Sequence, residues 1–90
     1  MTNEQINIAI ADASGLPWVD YCNDLNAMNE ALELISQQCK DSDFWFFLRE
    51  IIGFPDAESD WDEYYYFQAI NATARQRAEA FLRTLGKWEE

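Results

Sequence analysis

The 90-residue sequence contains no histidine, and it has only three glycines and two cysteines. Without histidine, the chain cannot build a Ser/His or Cys/His nucleophile pair or a histidine-ligated metal site. The glycines, at positions 15, 53 and 86, are too far apart to form a phosphate-binding loop. No pattern places two carboxylates in a sheltered pocket, as glycosidase or aspartic protease chemistry requires. We therefore expect a protein that is not an enzyme and that holds no cofactor.

Long apolar runs are also missing from the sequence. No segment approaches the roughly 18 apolar residues that span a bilayer. The start, MTNEQINIAI, lacks the basic and apolar blocks of a signal peptide. These absences predict a cytoplasmic protein, whose two cysteines, Cys22 and Cys39, are then free thiols and not a disulfide. Because Cys39 falls on an apolar helical stripe, we expect it to be buried.

Basic residues are scarce, whereas acidic residues are abundant. Seventeen Asp and Glu against six Lys and Arg give a net charge of −11. Residues 1–70 hold 14 acidic and two basic residues, a net charge of −12, while residues 71–90 hold three acidic and four basic ones, a net charge of +1. Such a surface repels nucleic acid phosphates and anionic lipids, and it attracts basic proteins. We expect neither a nucleic acid nor a membrane as a direct partner.

Apolar residues make up 49% of the chain, which is enough for one small packed domain over residues 1–90. Thr2 and Gln5 have the spacing of a capping box, in which each residue satisfies a backbone amide at a helix start. Gly15 is a typical helix stop. The sequence therefore predicts a first helix over residues 3–14.

An apolar stripe at steps of three and four predicts a second helix over residues 24–38, with Asn23 or Asp24 as its cap. The stripe consists of Leu25, Met28, Ala31, Leu32, Ile35 and Cys39.

A second capping box, formed by Thr73 and Gln76, begins the last predicted helix, and Gly86 is its stop. Its apolar stripe consists of Ala74, Ala78, Phe81, Leu82, Leu85 and Trp88. Arg75, Arg77 and Arg83 lie on the other side, where Glu79 can pair with the first and the last of them. In so acidic a protein, these arginines indicate a solvated helix face and not a nucleic acid site.

Residues 44–52, FWFFLREII, allow two interpretations. Five consecutive bulky apolar residues, at positions 44–48, favour a buried strand. Phe44, Phe47, Leu48 and Ile51 also fit one face of a helix. We predict a strand, because residues 63–70, EYYYFQAI, have the composition of a second strand that needs a partner. The predicted fold class is therefore α+β: two N-terminal helices, an antiparallel β-hairpin and a C-terminal amphipathic helix.

The connector of this hairpin combines acidic and aromatic residues and is the candidate partner-binding site. Trp and Tyr are common interface anchors, and flanking carboxylates steer a basic partner towards them. Helices covering both faces of the sheet would instead bury the tyrosines. The site consists of Asp56, Glu58, Asp60, Trp61, Asp62, Glu63, Tyr64 and Tyr66.

The alternating acids at positions 56, 58, 60 and 62 also resemble the first half of a calcium-binding loop. Trp61 stands where such a loop needs glycine, and Phe67 stands where it needs a bidentate glutamate. The pattern therefore favours a solvated acidic loop, and we predict no metal site.

Three segments resemble short phage and prophage proteins of the phage ABA sandwich domain family. They are INIAIADASG at residues 6–15, DLNAMNEA at residues 24–31 and ATARQRAEAFLRTLGKW at residues 72–88. The resemblance implies a sheet layered between helices and an accessory phage gene, and it implies no catalytic residues. This chain has only GLPWV between the first turn and Asp20, fewer residues than the longer members have.

Charge and resemblance together predict a phage protein that acts in the host cytoplasm by stoichiometric protein–protein binding. Its expected partner is a host protein or complex with a basic surface, as in anti-CRISPR or anti-restriction inhibition by DNA mimicry. The alternative is a phage structural or assembly accessory protein that acts through self-association. A homodimer that extends or covers the sheet would use the surplus aromatic residues.

Overall fold

The computed structural model describes residues 1–53 and 71–89, and within these ranges it contains five α-helices and no strand. The helices are α1 (Asn3–Ser14), α2 (Leu25–Ala31), α3 (Glu33–Gln37), α4 (Asp41–Ile52) and α5 (Ala74–Thr84). In this part of the chain, no helix is long and apolar enough to cross a membrane.

Helix α1 has the predicted bounds and the predicted caps. The Thr2 hydroxyl accepts a hydrogen bond from the Gln5 amide at 3.2 Å, and the Thr2 amide donates to the Gln5 side chain at 2.8 Å. Gly15 ends the helix in the left-handed region, with φ of 74°, which costs glycine little. Ile6 and Ile10 lie one turn apart and are fully buried. Local sequence signals therefore determine this element.

The predicted second helix is divided in two. Asp24 caps α2 by accepting from the Ala27 amide at 3.0 Å, as predicted, and the stripe residues Met28, Ala31 and Ile35 are buried. Leu32 separates α2 from α3. Its side chain is only partly buried, so the stripe does not continue unbroken into the core.

Cys39 is exposed, and the prediction that it is buried is wrong. Helix α3 ends at Gln37, and Cys39 then adopts a φ of 56°, which is uncommon for a residue with a side chain. The Lys40 amide donates back to the Ile35 carbonyl at 3.0 Å, as in a Schellman motif. This turn takes Cys39 off the helical stripe. Both cysteines are free.

The predicted strand over residues 44–52 is wrong, because this segment lies in helix α4. Phe44 and Leu48, one turn apart, are buried, and Gly53 ends the helix with a φ of 93°. Acidic residues in the first turn and Arg49 in the last also suit the helix dipole. The packing of one helical face outweighs the strand propensity of the aromatic residues.

Loss of that strand removes the predicted hairpin, so the α+β fold class is wrong and the described residues are helical. The second predicted strand, residues 63–70, lies outside the described residues. The sheet that the family resemblance implies is likewise not found in residues 1–53 and 71–89.

Helix α5 is the centre of the core, and its most extensive packing is against α4, followed by α1. The capping box of Thr73 and Gln76 forms as predicted. Ala78, Phe81 and Leu82 are fully buried. Small alanines allow neighbouring helices to approach closely, while Phe81 and Leu82 supply most of the buried apolar area on this helix.

A buried asparagine attaches the connector between α1 and α2 to the core. The Asn7 side chain donates to Asp20 Oδ1 at 3.0 Å and accepts from the Cys22 amide at 3.1 Å. In the same connector, the Tyr21 hydroxyl donates to the Pro17 carbonyl at 2.6 Å. Because buried polar groups are costly unless they are hydrogen-bonded, these contacts fix the connector in one position.

Candidate functional site

The eight residues predicted from the sequence as the partner-binding site lie outside the described residues. They remain a prediction. They are Asp56, Glu58, Asp60, Trp61, Asp62, Glu63, Tyr64 and Tyr66. Within residues 1–53 and 71–89, exposed acidic and aromatic side chains form a further candidate site.

The nine carboxylates of residues 1–53 are all exposed to solvent. Asp20, Asp24 and Asp41 accept hydrogen bonds from neighbouring side chains or amides. None of the nine forms an ion pair within the described part of the chain, where both ion pairs involve Glu79. The nine are Glu4, Asp12, Asp20, Asp24, Glu30, Glu33, Asp41, Asp43 and Glu50. Their charges are therefore available to a partner.

The solvent side of helix α4 carries two exposed aromatic rings among these carboxylates. Trp45 is 40% exposed and Phe46 is 55% exposed. Asp43 lies three residues before Phe46 and Glu50 lies four residues after it, so helical spacing places both carboxylates on the same side as the phenyl ring. Asp43, Phe46, Arg49 and Glu50 define the outer face of α4. Trp45 lies beside this face, one helical turn before Arg49.

Buried or half-buried neighbours orient the two exposed rings. Trp45 meets Phe44 edge to face, with 5.9 Å between ring centroids, and Phe46 meets Phe47 in the same way at 5.5 Å. Phe44 belongs to the core and Phe47 packs against it. Contacts of this kind restrict the rotamers of the exposed rings, so less entropy is lost when a partner binds them.

The strand prediction for residues 44–52 did not identify this face of α4. In a strand, Phe44 and Phe46 would lie on one side of a sheet. The helical alternative assigns Phe44, Phe47, Leu48 and Ile51 to the core face and leaves Trp45 and Phe46 outside it. The pattern that identifies the site was therefore present in the sequence, within the alternative that was not adopted.

Two arginines of α5, unlike the nine carboxylates of residues 1–53, form ion pairs with another described residue. Arg83 Nε donates to Glu79 at 2.8 Å, and Arg75 lies 3.8 Å from the other oxygen of the same carboxylate. Both guanidinium groups also lie over the Trp88 ring, at 5.6 Å for Arg75 and 5.2 Å for Arg83. The charges of these arginines are thus engaged within the protein.

Two buried titratable groups are held in their neutral forms. Burial raises the pKa of the Cys22 thiol, with the nearby Asp20 carboxylate acting in the same direction against Arg75. Burial also raises the pKa of Tyr21. A raised pKa keeps the thiol protonated near neutral pH and therefore poorly nucleophilic.

The described residues include two shallow cavities and no metal-ligand cluster. One cavity of about 130 Å³ lies between the end of α1 and helices α2 and α3, beside Glu30 and Glu33. The other, of about 270 Å³, is lined by Phe47, Arg83, Gly86 and Trp88. Across residues 1–53 and 71–89, no three Cys, Asp or Glu side chains come together as metal ligands.

Comparisons of the chain with protein-family models, with curated proteins and with solved structures each find no match. The proposed function therefore rests on the residues of this chain.

Proposed function

We propose that the protein is a phage-encoded inhibitor that binds, in a fixed ratio, a basic surface of a host protein which handles nucleic acid. Its site of action is the host cytoplasm, and its target class is a defence complex of the anti-CRISPR or anti-restriction type. The observation that carries the proposal is the set of nine exposed carboxylates in residues 1–53, with no ion pair to any described residue.

A basic channel that binds nucleic acid recognises closely spaced negative charge through Lys and Arg. Residues 1–53 hold nine carboxylates and only two basic residues, Lys40 and Arg49. Such a surface attracts the channel over a distance and occupies it in place of phosphates. The five further acids at positions 56–63 add charge of the same sign.

The arrangement of α5 supports the same conclusion. Arg75 and Arg83 are shared between Glu79 and Trp88, so they do not neutralise the acidic surface of residues 1–53. The protein therefore presents separated charge and not a mixed surface. A surface of one charge sign strongly attracts partners of the opposite sign, and salt weakens this attraction.

The phage setting rests on the sequence resemblance. All three similar segments coincide with helices, because residues 6–15 form most of α1 and its C-terminal cap, residues 24–31 form the cap and body of α2, and residues 72–88 contain α5. The resemblance supports an accessory phage protein and does not identify its target.

The test begins with capture on the immobilised protein from nuclease-treated host lysate, at roughly 50 mM and 200 mM salt. Each captured complex is then assayed for DNA binding with increasing amounts of the protein. We expect one basic complex to lose DNA binding at a fixed ratio, and to regain it with an Asp12→Asn, Glu33→Gln, Asp43→Asn, Glu50→Gln variant.

The proposal fails if no captured complex loses DNA binding at low salt. Recovery of the protein alone, as a concentration-dependent oligomer, would replace it with the self-association alternative. Asp60→Asn with Trp61→Ala tests separately whether the predicted loop contributes.

A further inference from the structure

We draw no further inference here: the strongest candidate, the shallow cavity of about 270 Å³ where Phe47 of α4 meets Arg83, Gly86 and Trp88 at the C-terminal end of α5, has its guanidinium group already shared between Glu79 and Trp88, and nothing in the described residues shows what covers it.

Discussion

Helices α4 and α5 pack against each other, yet they use their aromatic and charged residues in opposite ways. On α5, Phe81 is fully buried, and Arg83 is shared between Glu79 and Trp88. On α4, Phe46 faces solvent, and Glu50 has no ion pair to any described residue.

This difference separates stability from binding. The side chains of α5 stabilise the fold, because burial of an apolar ring and pairing of charges both lower the free energy of the native state. An exposed ring gains little from folding and favours association. The outer face of α4 is therefore the part of this helix pair that is free to contact a partner.

The largest expected effect concerns two phenylalanines, one on each helix. Phe81→Ala should lower the free energy of unfolding by about 3–5 kcal/mol, because it removes a fully buried ring and leaves a cavity. Phe46→Ala should change it by less than about 0.5 kcal/mol, because the ring is largely exposed. Urea unfolding followed by circular dichroism measures both values.

If Phe81→Ala does not fold, Phe81→Leu keeps the comparison usable, with an expected loss of about 1 kcal/mol or more. An equal loss in the free energy of unfolding for the Phe81 and Phe46 substitutions would show that Phe46 is covered in solution. The distinction between the two helices would then be removed.

A smaller effect distinguishes two glutamates. Glu79→Gln removes the carboxylate that Arg75 and Arg83 share, so the free energy of unfolding should fall by about 0.5–1 kcal/mol. The loss should shrink in high salt, which screens partly exposed pairs. Glu50→Gln, near the C-terminal end of α4, should be neutral or slightly stabilising. Thermal unfolding at low and high salt would contradict this account if Glu50→Gln were the more destabilising change.

Local signals in the sequence predicted the two capped helices well. The Thr2 and Thr73 capping boxes form because each involves residues only three apart. The strand prediction for residues 44–52 failed because aromatic residues favour strands by propensity, whereas packing against α5 selects one helical face. The burial of Asn7 was not predictable, since its partners Asp20 and Cys22 lie in a connector whose path only the folded chain defines.

The candidate site was predicted in its chemistry more than in its position. Composition predicted that carboxylates and aromatic residues would form a binding surface, and the nine acids of residues 1–53 are exposed. The hairpin model directed attention to Trp61 and its neighbours, which the structure does not describe. Trp45 and Phe46 were assigned to a buried strand, and only the bounds of α4 show that both rings lie on its solvent side.

The smallest expected effect is a difference in fluorescence quenching between two tryptophans, and it involves no change in stability. Trp45 lies one helical turn from both Asp41 and Arg49, so its surroundings are of mixed charge, whereas Trp88 lies beneath two guanidinium groups. Iodide ions, which collect near positive charge, should therefore quench Trp88 more strongly, relative to caesium, than they quench Trp45. Trp45→Phe and Trp88→Phe identify each contribution by difference from the wild-type protein. Similar selectivity at both positions would mean that the two guanidinium groups do not lie over the Trp88 ring in solution.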